Sequence, residues 1–156
     1  GAPTGAQGAY KTATQGNINR IRIQIVNGTG GDLQLSAINF DYSRWFAASP
    51  QTVTLSYHTG DLAVTDDTFI NNATGLTQLG SIADYDDFGW SLSSLADTIL
   101  AHGELAEFDL ITSAGTGATA SGAFDNIVIS GTAVPEPSSA ALLGLGGLAL
   151  ILRRRK

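Results

Sequence analysis

Arg20-Ile21-Arg22-Ile23-Gln24-Ile25 sets the architecture of this chain. Three isoleucines alternate with three long polar side chains, so the apolar period is two. On a helix these six side chains would scatter around the axis; on a strand every isoleucine falls on one face. The β-branch of isoleucine also suits a pleated, half-buried surface. The segment therefore reads as a strand with one side toward a core and the other toward water.

The neighbouring sequence repeats this pattern. Asn27-Gly28-Thr29-Gly30-Gly31-Asp32 is turn chemistry, and Leu33 and Leu35 alternate with Gln34 and Ser36 beyond it, so the pair reads as a hairpin. The second strand runs on through Ile38, Phe40 and Tyr42. Val53, Leu55 and Tyr57 mark another strand, with weaker candidates at Leu62–Val64 and Thr68–Ile70. Phe88, Trp90 and Leu92 give a further strand, and Phe108, Leu110 and Thr112 one more. Between them Ser94 to His102 fits a single helical turn or an irregular crossover. Ile127, Val128 and Ile129 close the series. Seven or eight short strands with glycine-rich turns and no long helix predict an all-β, jelly-roll-like β-sandwich over residues 18–133. Residues 1–17 are small, polar and glycine-rich, a flexible lead-in or a truncated start.

Composition agrees. Of 156 residues only 14% are charged, 19 are glycine and 43% are hydrophobic, which suits a real core joined by turns rather than a helical bundle or a disordered chain. The absence of cysteine excludes disulfides, thiolate metal sites and cysteine nucleophiles. The net charge of −6 is the wrong sign for a nucleic-acid partner. That charge is unevenly placed. Through Val134 there are thirteen acids against four bases (Lys11, Arg20, Arg22, Arg44), while the remainder sets Glu136 against Arg153, Arg154, Arg155 and Lys156. An acidic body carries a basic tail.

The tail, 134–156, has three parts. Val134-Pro135-Glu136-Pro137 interrupts regular structure, since two prolines flank the glutamate. From Ala140 to Leu152 no side chain is polar, so a helix there would be apolar on every side and suited to lipid. Arg153 to Lys156 then form a basic stop, the pattern of a cytoplasmic boundary. Thirteen residues rise about 20 Å as a helix against a hydrocarbon core of about 30 Å. Snorkelling arginines and the preceding serines shorten that gap. The expectation is a short C-terminal transmembrane helix with the acidic domain outside.

This order of Pro-Glu-Pro, a short apolar segment and an arginine cluster resembles the PEP-CTERM sorting signal of Gram-negative bacteria. The same tail pattern is also described as an ice-binding-protein C-terminal motif, but nothing in these residues calls for ice binding. The resemblance implies an exported protein, tethered at the inner membrane, handled by an exosortase-type processing enzyme and delivered to the cell surface or beyond. Bearers of such signals often belong to organisms that make extracellular polysaccharide. Export also requires a leader. Gly1-Ala2-Pro3-Thr4-Gly5 shows no basic or apolar leader pattern, and the intact tail favours a fragment over a matured chain. Residues 85–131, with Trp90-Ser91-Leu92-Ser93 and Asp125-Asn126-Ile127-Val128-Ile129-Ser130-Gly131, are similar to jelly-roll domains of carbohydrate-module type. That resemblance implies a fold more than a ligand.

Catalytic patterns are thin. No nucleophile elbow, zinc-protease helix or phosphate loop occurs. His58 could bond Asp61 within Tyr57-His58-Thr59-Gly60-Asp61, and Glu104 with Glu107 could be imagined as a glycosidase pair, yet an ordinary turn and a solvated face explain both. The expectation is a non-catalytic protein with no obligatory cofactor. Two ligand sets stand out. Asp84, Asp86 and Asp87, with Asp125 near the last strand, offer hard oxygens of the kind calcium takes, although the spacing is not that of an EF-hand. Tyr42, Arg44, Trp45 and Phe46 combine aromatic faces with a cation, a combination suited to stacking on a glycan such as an extracellular polysaccharide.

Overall fold

The computed structural model describes residues 10–12, 19–78, 84–116 and 122–135. Among these residues nine strands follow in order: β1 (Tyr10–Thr12), β2 (Arg20–Val26), β3 (Leu33–Arg44), β4 (Val53–Gly60), β5 (Phe69–Ala73), β6 (Asp86–Ser91), β7 (Ile99–Leu100), β8 (Leu105–Thr112) and β9 (Gly122–Ala133). They form two sheets, one in the order β2-β8-β4-β5 and the other β1-β9-β3-β6, with β7 joined to β3. Every pairing is antiparallel. Among the described residues there is no helix, and none therefore long and apolar enough to cross a membrane. The segment expected to be helical, 140–152, lies outside the described residues.

The inner faces of the two sheets build one core. Leu35, Ile38, Phe40, Tyr42, Trp90 and Phe124 come from one sheet, and Val53, Leu55, Tyr57, Ile70, Phe108 and Leu110 from the other. Phe40 packs edge-on against Trp90 at 4.9 Å and tilts against Phe124 at 5.7 Å, so aromatic geometry as well as area binds the layer. Ile21, Ile23 and Ile25 lie partly buried against this core while Arg20, Arg22 and Gln24 face water, as their alternation requires.

Connectivity departs from the local expectation. β2 and β3 do not form a hairpin: β2 pairs with β8, and β3 with β6, β7 and β9. The connection between them is a corner that crosses from sheet to sheet. Asn27 locks it, being buried with its side-chain amide donating to the carbonyls of Gly31 and Leu100. Satisfying a buried amide with two carbonyls fixes the chain direction in a way that glycine content does not reveal. The segment Leu62–Val64 is no strand. Asp61 is held by Leu105 through both its backbone N–H and its carboxylate, and Leu62 drops into the core as a plug. Between Leu92 and His102 the chain turns irregularly and adds only the two residues of β7. Within the lead-in, Tyr10–Thr12 pairs with β9.

Candidate functional site

The expected glycan platform divides between interior and surface. Tyr42 is 1% exposed, packs on Phe124 at 4.9 Å and donates its hydroxyl to the Pro50 carbonyl. Arg44 is buried too. Its guanidinium donates to the backbone carbonyls of Ser49, Leu76 and Ala47 and so folds the loop after β3 around itself. Neither side chain is placed to meet a ligand from outside. β3 is long enough that its end still belongs to the core, which the short aromatic stretch does not show. Trp45 is half-buried, its indole Nε1 inaccessible and without a hydrogen-bond partner among the described residues, while Phe46 is 40% exposed.

The expected calcium ligands divide as well. Strand alternation places Asp86 on the side of Phe88 and Trp90, and Asp87 on the outer side. Asp84 lies exposed before the strand begins. What the sheet brings together is Asp87, Asp41 and Asp125: Asp41 of β3 is the direct partner of Asp87 on β6 and of Asp125 on β9. The sequence reading missed Asp41, because β3 had no known neighbours. The Asn126 side chain, from a residue in the left-handed region at φ 48°, donates to Asp41. Burial holds the Asp41 carboxyl above the usual range, against the pull of that amide, and the charges of Asp87 and Asp125 add to the rise. Like charges directly opposite destabilise a sheet. Burial, with Asp125 and Asp41 nearby, likewise raises the hydroxyl of Tyr85.

A second ionic group sits on the outer face of the four-stranded sheet. Asp109 of β8 points to that face yet is only 1% exposed, because side chains close over it. Arg22, its cross-strand partner, donates from Nε to Oδ1 at 3.0 Å and from the terminal nitrogen to Oδ2 at 3.2 Å. Arg20 reaches Oδ2 at 3.3 Å. His58 bonds Asp67 at 2.9 Å rather than Asp61, whose carboxylate accepts from Leu105. Its Nδ1 is also 3.6 Å from Asp109. The signal for this cluster lay in two alternations of equal parity, Arg20/Arg22 and Glu107/Asp109, which become opposite charges once β2 and β8 pair. Glu107 faces Arg22 and accepts from Gln24, while Glu104 accepts from the Ala101 N–H, so the two glutamates have separate structural tasks.

At the C-terminal end, β9 stops at Ala133, and the Val134 N–H donates to the Asp32 carbonyl at 2.8 Å. The first residue of the tail is thus tied to the sandwich. Pro135 follows, exposed; Glu136, Pro137 and the basic stop Arg153–Lys156 lie outside the described residues. Residues 133–156 match the model of the PEP-CTERM protein-sorting motif. The molecule is thus of the class in which a β-sandwich body carries a C-terminal sorting motif. A PEP-CTERM motif marks an exported protein sorted to the cell envelope or surface, with membrane association and processing by an exosortase-type enzyme. No curated protein matches the chain in sequence. A solved structure, that of the infectious bursal disease virus Gt strain, is similar with a TM-score of 0.41 and 11% identity, covering 81% of this chain. The chain spans 30% of that structure's chain, and a likeness of this order identifies neither ligand nor activity.

Proposed function

We propose that this is a non-catalytic surface or extracellular-matrix protein, held briefly at the inner membrane by its tail and then released or transferred by an exosortase-type enzyme. One observation carries the reading: the sorting motif begins where β9 ends, at residue 133, with no spacer between sandwich and signal. The arrangement suits a body presented next to the membrane, with Pro135-Glu136-Pro137 as the accessible joint. Its orientation follows from charge. A cluster of four cations after an apolar segment stays on the cytoplasmic side, which leaves the acidic sandwich outside. In this reading 140–152 forms a short transmembrane helix and the body is a jelly-roll.

Two variants of the full-length protein, expressed in a host with the processing enzyme, test this. Deleting Arg153 to Lys156 should shift the protein out of its normal membrane and surface fractions. Replacing Pro135-Glu136-Pro137 by alanines should leave an unprocessed form in the membrane. Unaltered fractionation and processing in both would refute the reading. A glycan-binding module around Trp45 has less support, because Tyr42 and Arg44 serve the interior, Trp45 is half-buried and Phe46 is 40% exposed.

A further inference from the structure

We propose that His58, Asp67 and Asp109 form a site for one divalent cation of the zinc class on the outer face of the four-stranded sheet. The proposal concerns the sandwich alone and is independent of the sorting tail. His58 Nδ1 lies 2.9 Å from Asp67 Oδ1 and 3.6 Å from Asp109 Oδ2, and one ligand atom from each residue falls within 4.8 Å of the others. Ligands held tetrahedrally at about 2.1 Å from zinc stand about 3.4 Å apart, so the two separations from His58 Nδ1 approximate two edges of one coordination face. The three residues come from β4, the loop after it and β8, and pairing of β4 with β8 brings them together.

The surroundings suit an ion. Asp109 is held by the two-point contact from Arg22, which orients the carboxylate as hydrogen-bonding partners orient metal ligands elsewhere. Arg20, in contrast, makes a single contact among the described residues, at 3.3 Å, and is 52% exposed, so it can turn to solvent and free a lone pair of Oδ2. With Arg20 turned away, the charges of Asp67, Asp109 and Glu107 balance those of Arg22 and a dication. Asp67 is 73% exposed, which leaves a fourth position open to water. Without metal, Nδ1–H donates to the Asp67 carboxylate. On binding, Nδ1 gives up that proton to coordinate the ion, and Nε2 carries the ring proton. A nitrogen ligand and three protein donors among the described residues favour a borderline cation over calcium or magnesium, which demand more oxygens.

Calorimetric titration of the full chain with zinc chloride, alongside thermal melts, tests the site. Wild type should bind one equivalent and melt higher with zinc, while calcium at the same concentration should have no such effect. His58→Ala and Asp67→Asn should each weaken binding by about tenfold or more. Arg20→Ala should tighten it, a result that a purely structural ion-pair network would not give. The proposal is overturned if zinc does not bind wild type at about 100 μM. It is equally overturned if His58→Ala titrates like wild type, if calcium binds as well as zinc, or if Arg20→Ala binds more weakly.

Discussion

Asp41 shows how a single carboxylate changes character once its neighbours are known. In sequence it is one polar residue between Phe40 and Tyr42; in the sheet it stands between Asp87 and Asp125. Its pKa is raised above the ordinary 3.8, chiefly by burial. Above 3.8 and up to that raised value the folded state holds more proton than the unfolded chain, so stability falls as pH rises through the window and the penalty is complete above it. Asp41→Asn keeps an acceptor for Asn126 and removes the charge. It should stabilise the protein at neutral pH by on the order of 0.5 kcal/mol, the size of one cross-strand pair, and flatten the pH dependence just above 3.8. Urea melts at several pH values would show this; a variant less stable than wild type at neutral pH would contradict it. Asp97 behaves oppositely. Backbone N–H groups of Ala63 and Ile99 hold its carboxylate below 3.8, so its contribution is present at neutral pH and lost as pH falls through the depressed value.

Strand ends, rather than strand centres, set the strictest demands among the elements. β4 finishes at Gly60, whose φ is 137° and where an added Cβ would stand 2.5 Å from the Leu105 carbonyl oxygen and 2.9 Å from the Ala106 Cα. Both atoms are backbone of β8 and cannot step aside without breaking the pairing. Gly75, at φ 66°, has nothing within 4 Å of the same added atom. Gly60→Ala should therefore cost about 2 kcal/mol or more, and Gly75→Ala about 1 kcal/mol from conformation alone. Denaturant melts of the two variants would compare them, and equal losses would argue against the close β4–β8 approach. β2 illustrates the converse. Its alternation predicted which face is buried, but not that its partner would be β8. Parity is a local property, while pairing depends on which distant strand arrives alongside.

At the scale of the molecule, the described core and the sorting motif occupy different stretches of the chain. The core runs from Leu35 to Phe124 and joins both sheets, while the sorting motif begins at residue 133. A chain ended after Pro135 keeps β9 and the Val134–Asp32 hydrogen bond. It should melt cooperatively at the temperature of the full chain in the same detergent, as followed by circular dichroism. A markedly lower transition would mean that the tail contributes to the fold. Such a variant also separates the two roles assigned to the chain, because it should fold normally yet fail to be sorted.

Period-two alternation and glycine-rich turns sufficed to make the protein all-β, to assign Ile21, Ile23 and Ile25 to the core side, and to mark the tail by its order of proline, apolar run and arginines. Each of these is written within a few adjacent residues. Tertiary structure alone decided that β2 crosses to the other sheet, that Tyr42 and Arg44 turn inward, and that Asp41 joins Asp87 and Asp125. It likewise placed Asp109 beneath Arg22 and beside His58. These relations link residues as far apart as 22 and 109. They depend on how two twisted sheets close over one core, and a local pattern of hydrophobicity carries no record of that closure.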